Sequence, residues 1–109
     1  MGEQYAIEIA PTGYDSLRGV KDKKEVREIA RVIDSLARRP RAAGKELRSP
    51  LAGILSCRAV GSKYRVLFQV DESAHKVSVL LVGRRAAGLK VDVYEIAKKL
   101  LKSLEGEDD

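Results

Sequence analysis

The chain has 109 residues, which suits one domain with a modest hydrophobic core. It carries 21 basic and 16 acidic residues, and four of the acids fall in residues 105–109. Residues 1–104 therefore hold a formal charge of +9, which favours a polyanionic or acidic partner unless the cations only keep the surface soluble. The single cysteine, Cys57, excludes an internal disulfide and fits a cytoplasmic location, and neither a signal peptide nor a membrane span is visible.

The first half of the chain predicts one strand and two helices. Residues 4–9 alternate apolar and polar side chains, as a strand does. Thr12 is expected to cap a short helix over residues 15–18. The apolar residues of 21–39 recur at helical spacing, which predicts the longest helix of this half, with Asp22 as its N-cap.

The second half predicts three strands and one helix. Residues 41–53 contain turn-forming glycine and proline and are expected to form a loop, whereas residues 54–60 predict a strand. Residues 63–85 predict a β-hairpin with a polar turn, because the first strand alternates and the second is rich in β-branched residues up to Gly83. A final amphipathic helix is expected to open at Asp92.

These elements occur in the order β-α-α-β-β-β-α. Three consecutive strands form an antiparallel meander, and the first strand joins the same sheet. With helices packed on one face, this predicts an α+β domain built on a small antiparallel sheet of about four strands. The domain is expected to span residues 1–104, and the acidic tail at residues 105–109 is expected to fray.

Antiparallel pairing in the hairpin brings distant cations together. Arg65 opens the first strand, and Arg84 and Arg85 follow the second, so all three are expected at one edge of the sheet. Arg58 lies on the preceding strand, either facing this region or one register away, and the sequence does not fix that register.

Most familiar catalytic machinery is absent from the sequence. It has no P-loop, no GxGxxG pattern and one histidine, so neither a metal nor a cofactor is expected. His75 is interpreted as a solvated turn residue rather than a general base, and Cys57 as a packing residue. Guanidinium groups can hold a phosphate while a phenol or lysine moves protons, which permits RNA cleavage by attack of the 2′-hydroxyl. A binding module would carry the same cations.

Five motifs follow one another along the chain: KELR at 45–48, SCRAV at 56–60, YRVLFQV at 64–70, VGRR at 82–85 and DVY at 92–94. Their order and spacing resemble the RelE/ParE superfamily of bacterial and archaeal type II toxins, most closely the RelE-like mRNA interferases. The resemblance implies a small antiparallel sheet flanked by helices. It also implies a toxin that enters the ribosomal A site and cuts mRNA there, and a cognate antitoxin that wraps and blocks it.

The same resemblance assigns roles to individual residues. Arg65 matches the strand arginine that contacts the scissile phosphate, Arg85 matches the second arginine, and Tyr94 matches the tyrosine that stacks on or assists the reacting nucleotide. Arg58 matches one of two basic residues on the preceding strand, while the other position holds Ser56, which is a departure from the family. Five further cations are expected to contact RNA or the ribosome: Lys45, Arg48, Lys63, Arg84 and Lys90.

Two other functions remain open at the level of sequence. A ParE-like toxin would inhibit DNA gyrase by binding it, although such a protein does not require Arg65, Arg85 and Tyr94 together. A basic RNA-binding module with weakened catalysis is the second alternative, and the serine at position 56 allows it. In each toxin hypothesis the basic body predicts an acidic or amphipathic antitoxin segment as partner.

Overall fold

The computed structural model describes residues 4–106, which form one mixed five-stranded sheet with four helices. The strands lie in the spatial order β1-β5-β4-β3-β2, and the pairs β2–β3, β3–β4 and β4–β5 are antiparallel. β1 runs parallel to β5 at the edge of the sheet. The strand bounds are Ala6–Ile9 for β1, Lys45–Glu46 for β2, Leu55–Ala59 for β3, Tyr64–Asp71 for β4 and Lys76–Arg84 for β5. The predicted α+β class and the predicted hairpin are confirmed.

The helices are α1 (Pro11–Arg18), α2 (Lys23–Ser35), α3 (Pro40–Ala43) and α4 (Val93–Gly106). Asp22 caps α2 as predicted, since its carboxylate accepts hydrogen bonds from the backbone of Lys24 at 2.8 Å and Glu25 at 3.4 Å. The predicted capping role of Thr12 is wrong. α1 begins at Pro11 with Ala10 as its N-cap, two residues before Thr12, and the Thr12 hydroxyl donates to the Leu80 carbonyl at 2.6 Å.

The helices cover both faces of the sheet rather than the one face expected. Val66 and Phe68 of β4 belong to a buried cluster with Ile29 of α2. Leu67, between them in sequence, belongs to a second cluster with Val93 of α4. Because side chains alternate along a strand, a strand with apolar residues at successive positions needs cover on each side. We call these sides the α2 face and the α4 face.

A β-bulge at Leu80 lets β5 serve both clusters. The pairing steps from Leu67–Leu81 to Phe68–Val79, so Leu80 has no counterpart in β4. Val79 consequently packs in the cluster on the α2 face, whereas Leu81 packs in the cluster on the α4 face. Without the bulge, Val79 and Leu81 would lie on the same face of the sheet.

Several boundaries differ from the predicted ones. The expected loop at 41–53 contains the end of α3 and the short strand β2, because Lys45 and Glu46 pair with β3. β5 continues through Gly83 to Arg84, and the backbone of α4 continues to Gly106. Residues 107–109 of the acidic tail lie outside the described residues. Among those described, no helix has the length and apolar character needed to cross a bilayer.

Candidate active site

Three arginines gather on the α4 face, at the open end of the β4–β5 hairpin. Arg58 pairs directly with Arg65 across β3 and β4, and Arg65 pairs with Gly83 of β5. Arg85 extends that ladder, because its backbone N–H donates to the carbonyl of Lys63, just before β4, at 2.9 Å. Paired residues point to the same side of a sheet, and side chains alternate along each strand. The three arginines therefore share one side, and together with Tyr94 we call them the arginine face.

Arg58 and Arg65 place two like charges in direct opposition. Arg58 is exposed, and within residues 4–104 neither guanidinium forms an ion pair with a carboxylate. Arg65 instead donates from Nη1 to the carbonyls of Ser62 at 2.8 Å and Tyr64 at 3.3 Å. Like charges directly opposite destabilise a sheet. The pair is thus unfavourable for the fold but well suited to an anion such as phosphate.

Arg85 is held by a buried carboxylate. Its Nη1 donates to Asp92 Oδ1 at 2.5 Å, and its guanidinium lies 4.8 Å from the centre of the Tyr94 ring. Asp92 is only 2% exposed and also accepts from the backbone of Ala86 and Tyr94. Burial opposes ionisation of Asp92, but these hydrogen bonds outweigh it and bring the pKa of its carboxyl below the ordinary value. Arg85 therefore carries an internal ion pair, with its other N–H groups available to a ligand.

Ser56, the departure from the family pattern, contacts the tyrosine. Its hydroxyl lies 2.8 Å from the Tyr94 hydroxyl, and the serine is 7% exposed on the same side of β3 as Arg58. A serine hydroxyl is not a general base near neutral pH, so it does not replace the basic residue expected at this position. It fixes the position of the phenol instead.

Gly83 provides the space in which α4 approaches the sheet. A Cβ atom at this position would lie 3.0 Å from Val93 Cγ2 and 3.1 Å from Val93 Cβ. The glycine does not end β5, as the sequence suggested, but lies within it opposite Arg65. Its missing side chain allows the first turn of α4, and hence Tyr94, to lie against the arginines.

Two predicted RNA-binding cations do not join the arginine face. Lys63 forms an ion pair with Glu25 of α2, which also accepts a hydrogen bond from the Tyr64 hydroxyl at 3.1 Å. Arg84 pairs with Tyr64 and so points to the α2 side of the sheet. Adjacent residues of one strand face opposite ways, so Arg84 and Arg85 separate although they are neighbours in sequence.

The remaining predicted cations lie on β2, just after it, and in the loop before α4. Lys45 pairs with Ser56 from β2 and therefore points to the same side as Arg58. Arg48 is exposed just after β2. Lys90 lines a shallow groove together with three lysines of α4: Lys98, Lys99 and Lys102.

The histidine and the cysteine lie away from the arginine face. His75 is half-buried rather than solvated as expected, because its ring stacks on Tyr5 with 3.9 Å between centroids, at the closed end of the hairpin. Cys57 is 9% exposed in the cluster on the α2 face, and burial raises the pKa of its thiol to about 11. No group of three or more metal-ligating side chains occurs among the described residues.

The buried ion pair of Asp92 and the spacing role of Gly83 are not predicted from the sequence. Asp92 is recognisable only as a residue that opens a helix, and its arginine partner lies seven residues away across a loop. An aspartate at a helix start soon after a Gly-Arg-Arg run is the one available signal. It indicates the pairing only once the strand and helix are known to meet.

No protein-family model matches the sequence. The chain is similar to the Toxin RelE of Mycobacterium tuberculosis, with 28% identity over 88 residues, which make up 81% of this chain and 89% of that protein. It is also similar to a chain of the toxin-antitoxin complex RelBE2 from the same organism. There the TM-score is 0.69 and the identity 28%, over 77% of this chain and 94% of that chain.

A mutant of the E. coli toxin RelE in the free state has the same fold. The TM-score is 0.66 over 88% of this chain and 96% of that chain, at 22% identity. This likeness concerns the fold alone, whereas the M. tuberculosis proteins share sequence as well.

Proposed function

We propose that this chain, which is similar in sequence and fold to RelE toxins, is a ribosome-dependent endoribonuclease that cuts mRNA in the A site. The observation that carries the proposal is the arginine face. Arg58 and Arg65 are held opposite one another without an acidic partner among the described residues, beside Arg85 and Tyr94. A protein with no anionic ligand would gain nothing from that arrangement.

The proposed reaction is attack of a ribose 2′-oxygen on the adjacent phosphorus. The bond from phosphorus to the 5′-oxygen breaks, which leaves a 2′,3′-cyclic phosphate and a 5′-hydroxyl. The 2′-hydroxyl loses a proton and the leaving oxygen gains one. Guanidinium groups of Arg58, Arg65 and Arg85 would stabilise the charge that grows on the phosphorane. Such a reaction needs no metal ion.

Proton transfer is assigned to Tyr94 because arginine is too basic to act as a free base. A phenol both donates and accepts a hydrogen bond, and the contact with Ser56 holds it on the arginine face. Lys45 pairs with Ser56, two residues before Arg58 on β3, and therefore lies on the same side of the sheet. Lys45, Arg48 and Lys90 would add sequence-independent contacts to RNA phosphates.

The proposed partner is a cognate antitoxin with an acidic, amphipathic segment. The RelBE2 structure is a toxin-antitoxin complex. In this chain an apolar groove lies between α4 and the sheet, and its rim includes Leu100 and Leu104, which are 39% and 66% exposed. Apolar residues at helical spacing beside a basic surface suit such a segment. Titration that finds no tight complex with the protein encoded beside this one would count against the antitoxin.

A second candidate is an RNA-binding module with weakened catalysis. Ser56 favours it, because the position that is basic in the family here carries a buried hydroxyl engaged with Tyr94. The ParE-like alternative, in which the chain binds DNA gyrase, gains no support from a particular contact. These alternatives are separated by the same experiment as the main proposal.

The experiment is primer extension on mRNA from a translating lysate that contains the purified chain. We expect cleavage within codons at the A site, abolished by Arg65→Ala and unchanged by Arg27→Ala, an exposed arginine of α2. Intact mRNA on ribosomes that retain the protein would favour the weakened module. Intact mRNA with inhibited DNA supercoiling would favour the ParE-like toxin.

A further inference from the structure

Asp92 makes more contacts than a helix cap requires. One carboxylate oxygen accepts from Arg85 Nη1 at 2.5 Å and from the Ala86 backbone N–H at 2.7 Å. The other accepts from the Tyr94 backbone N–H at 3.1 Å. Only this last contact is the capping interaction at the start of α4. The remaining two bind the end of β5 to the start of α4.

The burial of Asp92 also exceeds what capping needs. Its side chain in the ion pair is 3% exposed, while that of Arg85 is 34% exposed. By contrast Asp22 caps α2 with an exposed side chain and two backbone donors. Burying a carboxylate is costly unless it is paired and hydrogen-bonded, so a cap alone does not account for Asp92.

We infer that Asp92 is a positioning residue of the candidate active site, which sets the guanidinium of Arg85 over the ring of Tyr94. The inference rests on the proposed function and adds to it a residue that touches no substrate. The nine-residue step from Arg85 to Tyr94 crosses a loop, and Asp92 joins both of its ends through one carboxylate. Arg85 then lies 4.8 Å above the ring with one N–H committed and the others directed elsewhere.

The test replaces the carboxylate by another good cap. Serine caps helices about as well as aspartate, so Asp92→Ser keeps the capping hydrogen bond but cannot hold a guanidinium. We expect kcat for mRNA cleavage to fall on the order of 10- to 100-fold with little change in KM, as misplacement of a catalytic group does. The matched control, Asp22→Ser, makes the same change at the cap of α2 and should leave both constants unchanged.

A double-mutant cycle separates positioning from general stability. In an Arg85→Ala background, Asp92→Ser should cause no further loss of rate, because the group it positions is already gone. If the two losses multiply, or if Asp92→Ser cleaves at the wild-type rate, the inference is overturned. Asp92→Asn, which keeps the shape of the side chain, is the second variant if the serine variant does not fold.

A measurement that does not depend on catalysis tests the role of Asp92 separately from the proposed nuclease activity. The guanidinium N–H signals of Arg85 in proton–nitrogen NMR spectra are assigned by their loss in Arg85→Lys. In the wild type we expect these signals to be separate from those of the other arginines. In Asp92→Ser we expect them to merge with the averaged signal of exposed arginines, whose protons exchange rapidly. Unchanged signals would refute the role of Asp92. Absence of cleavage by the wild type, with the expected NMR change, would refute only the nuclease.

Discussion

Neutralising Arg58 is expected to make the protein more stable and less active. Arg58 and Arg65 are directly opposite in the β3–β4 register, and no described carboxylate pairs with either one. Two unit charges about 5 Å apart in water, the general spacing of directly opposite side chains, repel by about 0.8 kcal/mol. That agrees with the ~0.2–1 kcal/mol found for cross-strand pairs. We therefore expect Arg58→Gln to raise the free energy of unfolding by about 0.5 kcal/mol at low salt.

The measurement is urea unfolding at low and high ionic strength, with primer extension in the lysate on the same samples. The gain in stability should shrink at 1 M salt, where the screening length falls to about 3 Å. Arg27→Gln on α2 is the control, because Arg27 is also an exposed arginine but lies outside the arginine face. It should change stability little and leave cleavage intact.

Two results would refute the reasoning. A loss of stability in Arg58→Gln, independent of salt, would mean that Arg58 supports the fold through packing rather than opposing it through charge. Wild-type cleavage by Arg58→Gln would mean that the opposed arginines do not bind the scissile phosphate. Either result removes the physical argument that a phosphate explains why the pair is tolerated.

Three further predictions concern the surroundings of the arginine face. Gly83→Ala would force Val93 to give way by a few tenths of an ångström, so we expect a loss of ~1–3 kcal/mol in urea unfolding and slower cleavage as Tyr94 moves; unchanged values for both would contradict the spacing role. Ser56→Ala removes the hydroxyl next to the phenol and should cost about 1 kcal/mol together with part of the cleavage rate, whereas an unaltered rate would show that the contact is incidental. The Cys57 thiol, with its pKa raised to about 11 by burial, should react slowly with iodoacetamide at pH 8 and quickly in urea, and rapid labelling of the folded protein would contradict its burial.

The fold was largely predictable because its local signals agree with one another. Asp22 predicts the start of α2. The alternating side chains of β4 and the β-branched run of β5 together predict the hairpin. The assignment of β5 residues to the two faces was harder to predict, since the bulge at Leu80 places Val79 and Leu81 in different clusters. An extra residue in a strand has no signature in a continuous apolar run.

The candidate site was predictable to the level of strand pairing and no further. The convergence of Arg65 and Arg85 follows from antiparallel pairing in the predicted hairpin, and the structure places both near Tyr94. The register that sets Arg58 opposite Arg65 was left open by the sequence, and Arg84, expected beside them, points to the other side of the sheet. The ion pair with Asp92 depends on how the loop between β5 and α4 closes. Long-range contacts of this kind are set by packing between elements rather than by residue order.

The alternation of β4 has a consequence for deletions. Tyr64, Val66 and Phe68 support one layer of the molecule, while Arg65 and Leu67 face the other. Removing a single codon from this strand would exchange the two sets, burying a guanidinium and exposing an aromatic ring. Deletion of one residue from β4 should therefore destabilise the fold more than a single substitution there. Deletions that preserve the reading frame should be tolerated only outside β4 and the strands that pair with it.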